Sequence, residues 1–365
     1  MMARALSKLV DYIRGGGDYS ISVPPFDGAL RPNERIEQGR ILASVPAPDN
    51  LVATPDGVVF SSGHSLLACR QVAAGFNVAT LEQYPTAVTA LAAFGDTLAV
   101  GLDSGGVTLR GGIHDGRTFA AFDEQRLNCP VALAFEESGS LLVANGSARH
   151  GASRWKHDLL ERGASGSVWR VALASGHATR LAHQLAFPYG LLPLSDGSLL
   201  VAESWRHRII RLGRDGRLDP VLQDLAAYPA RLTRCASGGT WVAMFAPRRR
   251  LVEFVLREPA YRERMMAEIP SDFWIAPSLA PMTSFLEPLQ GGTLKVLARL
   301  KPWAPSRSYG LIVRLDANHR PVESLHSRGD GTRHGIRSVL ETNTGLLAAS
   351  AGANALVLME RTNGR

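Results

Sequence analysis

Residues Phe187 to Leu212 read FPYGLLPLSDGSLLVAESWRHRIIRL, three strand-length apolar runs around two turn signals, Ser195-Asp196-Gly197 and Glu203-Ser204-Trp205. Each run is rich in Leu, Val or Ile and stops at a polar break, the pattern of a strand meander. Its opening recurs along the chain: a Pro, an apolar residue three positions on, a loose turn carrying Gly, then a short apolar run. Further copies start at Pro48, Pro85, Pro130 and Pro229, and a last one that lacks the Pro starts at His334, giving six in all. Their turn glycines, Gly57, Gly95, Gly139, Gly197, Gly239 and Gly345, stand 38, 44, 58, 42 and 106 residues apart. Repeats of roughly 40 residues built from strands and turns are the mark of propeller blades, which bury their faces only by stacking around a channel. The expectation is an all-β chain, a six-bladed β-propeller over residues 41–365. The long last interval then needs a partly helical insertion, placed between blades five and six at about 247–306.

Outward from this core, residues 1–40 read as a short helix and a wrapping segment. Leu6, Leu9, Val10 and Ile13 fall at helical spacing, and Gly15-Gly16-Gly17 ends the run. Ile41-Leu42-Ala43-Ser44-Val45 is the candidate strand for closing the ring on the last blade. Between Gly146 and Gly166, SARHGASRWKHDLLERGAS is long and polar for a hairpin. Its His150, Arg154, Trp155, Lys156 and His157 belong either at one mouth of the channel or on a plain solvated loop. In the insertion, Leu251 to Ile269 carries helical spacing broken by Pro259, and a Pro-rich remainder holds Trp274, Phe285 and Trp303. It serves either as a lid or as packing against a blade edge.

Composition narrows the class. With 365 residues, 45% hydrophobic and 20% charged, one large propeller core uses nearly all of the chain. The net charge of +7 comes from scattered Arg, with Arg248-Arg249-Arg250 the longest basic run, which argues against a nucleic-acid partner. Cys69, Cys129 and Cys235 are far apart and in no CxxC or Cys/His spacing, so neither zinc nor a disulfide framework is indicated. Cys129 and Cys235, near blade starts, read as packed core thiols. No apolar run reaches the length of a membrane span, and the N-terminus lacks an apolar signal region. The plain expectation is a cytoplasmic enzyme with a small-molecule substrate, no membrane insertion and an open oligomeric state.

From about Pro48 to Met359 the chain resembles the strictosidine synthase-like proteins, relatives of the gluconolactonase and senescence-marker six-bladed propellers. The residues that carry the likeness run WKHDLLERGASGSVWRVALASGHATRLAHQLAFPYGLLPLSDGSLLVAESWRHRIIRL. YPARLTRCASGGTWVAMF is similar to the family's next blade, and YGLIVRLDANHRPVESLHSRGDGTRHGIRSVLETNTGLLAAS to its last. The segment from Pro259 to Pro270 is similar to a helix found there. Fold does not carry function, so two family chemistries are matched residue by residue. The condensing enzymes use a glutamate near the start of the last inner strand. Aligning Glu341 and Gly345 puts Arg337 at that place, and an Arg cannot accept a proton near neutral pH. His334 is close but out of register, so strictosidine synthesis itself is argued against.

The gluconolactonase-like relatives hold a divalent cation on the axis with oxygen ligands. If the residue after each opening Pro faces the axis, the ring here reads Asp49, Thr86, Val131, Tyr189, Ala230 and His334. One carboxylate is too few for a tight site; Asn50, Asn145 and Glu203 are the residues that could supplement Asp49 around a cation such as Ca2+. The candidate catalytic residues are His334, Asp49 and Glu203. Tyr189, Arg231, Arg337, Asn145 and Trp205 are candidates for contact with substrate. A His near an Asp could activate water, and an Arg or Tyr could stabilise an oxyanion, which suits hydrolysis of a small ester or lactone. The alternatives are a non-catalytic small-molecule-binding propeller and a condensing or lyase enzyme other than a strictosidine synthase. A metallo-lactonase requires three or more oxygen ligands among Asp49, Asn50, Asn145 and Glu203. A metal-free hydrolase requires His334 within reach of a carboxylate in an open pocket. A binding module requires a channel lined by Tyr189, Trp205 and Val131 without such a pair.

Overall fold

Six four-stranded sheets follow one another along the chain. The structure, a computed structural model, describes residues 23–72, 75–103, 105–284, 287, 295–296, 299–300 and 307–360. The innermost strands are Pro48–Thr54, Val88–Phe94, Pro130–Glu136, Pro188–Pro193, Ala227–Arg234 and Ile336–Thr342. Each packs on the next, and the last packs on the first, so the sheets form a closed six-bladed β-propeller. Three of the inner strands open on a repeat proline, Pro48, Pro130 or Pro188. A Pro there gives up no ladder hydrogen bond because the first residue of a strand needs none.

Blade six is completed from the other end of the chain. Arg40–Ser44 pairs antiparallel with Ala355–Glu360, matching Arg40 to Leu358 and Ser44 to Ala355. This is the closure expected of the run from Ile41. Ahead of it, the chain wraps blade five: Asn33 donates to Ser324 O and accepts from His326 N, and the Phe26 ring stacks on Tyr309 with centroids 5.9 Å apart. The helix expected over Leu6 to Ile13 lies outside the described residues.

The insertion sits elsewhere than expected. It falls within blade five, between that blade's second strand, Thr240–Pro247, and its third, Leu311–Leu315. Those two strands pair in unbroken register from Thr240↔Leu315 to Met244↔Leu311, so the ladder resumes as if nothing intervened. A glycine interval measures how many residues are added and not which hairpin they interrupt. Within it, helices Arg250–Arg257 and Pro259–Glu268 meet at Glu258, whose backbone is non-helical. Pro259 disfavours helix at the preceding residue and suits the first turn of the next one. The loop after blade three's second strand also holds a helix, Trp155–Leu160, whose Leu160 packs with Val255, Met265, Trp274 and Ala276 of the insertion. Loop and insertion thus share a small core of their own. No described helix is long and apolar enough to cross a membrane.

Between blades the packing is apolar: Leu192, Leu200 and Ile209 of blade four meet Val242, Met244, Leu311 and Val313 of blade five. Cys69, Cys129 and Cys235 are buried and unbridged. Gly190 marks the tightest approach of two inner strands, since a Cβ there would stand 2.3 Å from the Ala230 carbonyl oxygen. Backbone cannot yield as a side-chain tip does, so Gly190→Ala should cost roughly 1–3 kcal/mol, read as a lowered midpoint in thermal unfolding. An unchanged midpoint would mean that the two blades are free to move apart.

Candidate functional site

Every inner strand carries the same irregularity just after its start. The register slips at Asp49/Val52, Val88/Ala90, Pro130/Ala132, Pro188/Gly190, Pro229/Leu232 and Ile336/Ser338. A bulge leaves a residue outside the ladder and re-aims its side chain. The residues so released are Asn50 and Leu51, Thr89, Val131, Tyr189, Ala230 and Arg231, and Arg337. Arg231, not Ala230, supplies blade five's polar group at the axis, because its strand slips by more than one residue.

Asp49 and Arg231 meet at the centre. Arg231 Nε donates to Asp49 Oδ1 at 2.9 Å and Nη2 donates to Oδ2 at 3.0 Å, a bidentate pair. The same guanidinium donates to Thr89 O at 2.9 Å and Val131 O at 2.5 Å. Its flat face lies 5.0 Å from the centre of the Tyr189 ring. Tyr189 Oη stands 3.5 Å from Asp49 Oδ2, and Arg337 Nε stands 3.6 Å from the same oxygen. Burial by itself would raise the Asp49 carboxyl, but the Arg231 and Arg337 charges outweigh it and hold the group below its usual range. Burial, with Asp49 nearby, pushes the Tyr189 hydroxyl up.

Above this pair lies a cavity of about 230 Å³ whose lining includes Asp49 and Arg337. Its walls are aromatic: Trp155, Phe187, Tyr189, Trp205 and Phe245. Phe187 stacks on Trp205 at 4.4 Å, and Trp155 and Tyr189 meet Phe245 edge-on at 5.8 and 5.9 Å. The Trp205 indole is held by a 2.8 Å hydrogen bond to Asp158 Oδ2, so the loop helix fixes a wall of the cavity. That loop also adds Ala152 and Ser153, and the insertion adds Leu279. On the other side of the ion pair a second chamber of about 330 Å³ is lined by inner-strand residues of all six blades, with Asn50 and Arg231 among them.

Asp49, Tyr189, Arg231, Arg337 and Trp205 are therefore brought together. The other sequence candidates go elsewhere. His334 is buried, with Nδ1 2.7 Å from Ser308 Oγ and Nε2 2.7 Å from Arg328 O, and does not line the aromatic cavity. Burial lowers its basicity. Glu203 is fully buried and holds its own hairpin, accepting from Ala186 N at 2.7 Å and pairing with Arg206 and Arg208. Asn145 is fully buried too, accepting from Cys129 N and donating to Ser147 O. Asn50 bonds Ser61 Oγ through Nδ2, while its Oδ1 is buried without a hydrogen bond. Phe187, Phe245 and Leu279 also line the cavity, and their apolar character reads as core in the sequence. Thr89 serves the ion pair through its backbone carbonyl, which no side-chain pattern marks.

The donor set does not fit an axial divalent cation. Such an ion takes several oxygen ligands; here the one carboxylate on the axis is engaged by Arg231, with Arg337 adding a second positive charge. Asn145 and Glu203 are spent on structure. No group of three or more His, Cys, Asp and Glu among the described residues could hold a metal ion.

Known proteins share the architecture. A gluconolactonase from Xanthomonas campestris superposes with a TM-score of 0.55, covering 87% of each chain at 13% identity. A calcium-binding regucalcin from Agrobacterium tumefaciens gives 0.55 over 90% of this chain and 95% of that one, at 14% identity. The likeness is one of fold. In sequence, 106 residues are 33% identical to the adipocyte plasma membrane-associated protein of Danio rerio, and 34% identical to that of Salmo salar. The match spans about a quarter of those relatives, 26% of each. No family model matches the chain.

The ion pair makes a prediction about stability. Asp49→Asn leaves Arg231 buried without its counter-charge and should cost roughly 3–5 kcal/mol in denaturant unfolding at neutral pH. A depressed carboxyl stabilises the fold above its unfolded value, 3.8, and loses that contribution as pH falls toward the lower folded value. The gap between wild type and Asp49→Asn should therefore narrow below about pH 3.8. A gap that stays constant down to pH 2 would sink the pairing.

Proposed function

We propose that the aromatic mouth is a small-molecule site and that its activity is metal-independent hydrolysis of a small ester or lactone. The observation that carries this reading is the apolar aromatic cavity closing on Asp49, Tyr189 and Arg337. Cavities of this make-up, mostly apolar with a few convergent polar groups, are where ligands bind. Arg337 lines the cavity, which brings its guanidinium charge to a ligand oxygen bound there. In this reading a carbonyl oxygen accepts from Arg337 and from the Tyr189 hydroxyl, whose charge and dipole stabilise the tetrahedral oxyanion. Asp49 Oδ2 orients the attacking water and takes its proton. That a gluconolactonase shares the fold supports the choice of ester or lactone. A carboxylate held below its usual range is a weak base, so the chemistry favours leaving groups that depart without help.

A second reading, a non-catalytic binding propeller, is favoured by one observation. Val131, Tyr189 and Trp205 line the cavity, and among the described residues no His–carboxylate pair lies in it. Neither reading involves nucleic acid.

Turnover of an activated aryl ester and a small lactone, with and without chelator, separates the two. Hydrolysis should be saturable, indifferent to chelation, and reduced about 100-fold or more in Arg337→Ala, the size of a lost oxyanion donor. Loss of turnover on chelation would refute the metal-free mechanism. Absent turnover, with saturable quenching of tryptophan fluorescence by either compound, would leave the binding reading standing.

A further inference from the structure

We propose that Arg231 is a tethered cation: its guanidinium ties the blades together at the axis in the manner of a bound metal ion. The claim is independent of the hydrolase reading and rests on coordination. Four hydrogen bonds reach oxygens from three blades: both carboxylate oxygens of Asp49 in blade one, the Thr89 carbonyl in blade two and the Val131 carbonyl in blade three. Tyr189 of blade four covers the face of the group, and Arg231 itself belongs to blade five. Blade six joins through Arg337, which lies beside Asp49 and donates to the carbonyls of Ala47 and Pro48 at 2.8 and 3.2 Å. Backbone carbonyls and a carboxylate converging from separate strands are the donor set of a hard cation. A planar guanidinium satisfies the same oxygens with directional N–H groups and stays charged at any working pH.

Two consequences separate this role from an ordinary buried ion pair. The native chain has no use for a divalent ion at this place, because the carboxylate that would bind it is already neutralised. Removing the guanidinium leaves Asp49 and two carbonyls facing a hole of guanidinium shape, which a small free cation can refill.

Thermal unfolding of the full chain tests both. Wild type should show one midpoint in calcium, magnesium or chelator. Arg231→Ala should unfold at a lower temperature and recover part of the loss in millimolar guanidinium chloride, but not in sodium chloride of equal ionic strength. A wild-type midpoint that rises with calcium or falls with chelator would overturn the proposal, as would an Arg231→Ala midpoint indifferent to guanidinium. Should Arg231→Ala fail to fold, Arg231→Lys keeps the charge without the fork. A midpoint below wild type supports the coordination, and one equal to wild type overturns it.

Discussion

A single guanidinium–carboxylate pair on the axis divides the channel and sets what each half can be. Placing two ions in the middle of a propeller is costly unless nearly every donor and acceptor finds a partner. Arg231 meets that condition through its bonds to Asp49, Thr89 and Val131, and Asp49 also accepts from the Asn50 amide. The aromatic chamber above inherits a charged floor whose carboxylate is already compensated. The chamber below inherits the apolar stems of the inner strands. Neither could exist in this form if the pair were exchanged for a hydrated ion.

How much of this is legible in the sequence depends on backbone register. The blade repeat is strong because each blade must carry a turn and apolar runs, and so the ring of six and its closure by the strand at Arg40–Ser44 follow from the residues. The axial ring is harder. Counting one residue past each opening Pro finds Asp49, Val131 and Tyr189, but it offers Thr86, Ala230 and His334 where the structure has Thr89, Arg231 and Arg337. At blade five the error of one residue lies within the strand's slip. At blades two and six it is three, because the inner strands open only at Val88 and Ile336, and a shift of one residue already turns a side chain to the opposite face. His334 shows the cost: it sits at a blade start, yet its ring is locked between Ser308 and the Arg328 carbonyl.

The aromatic wall is legible only in part: Trp155, Tyr189 and Trp205 read as channel or mouth residues, whereas Phe187 and Phe245 do not. Phe187 and Phe245 lie in apolar runs and Trp155 in a polar loop, and nothing local says that they converge. Their convergence depends on Asp158, a charged residue on a short loop helix whose buried carboxylate reaches Trp205. It depends also on the insertion, which packs on that helix through Leu160 and reaches the cavity rim through Leu279. The two most irregular parts of the chain thus shape the mouth jointly, while the regular blades hold the charges beneath it.

The closing strand has a consequence for how the molecule comes into being. Arg40 meets Glu360, a partner 320 residues away along the chain. While the protein is being synthesised, five blades can assemble in order, but the ring stays open until the strand Ala355–Glu360 is available to pair with Arg40–Ser44. Until then the strand at Arg40–Ser44 has no ladder to join, and blade six presents an unpaired edge of the kind that recruits foreign strands. Ring closure is therefore a late step of folding, in which five formed blades wait on the six residues of one strand, Ala355–Glu360.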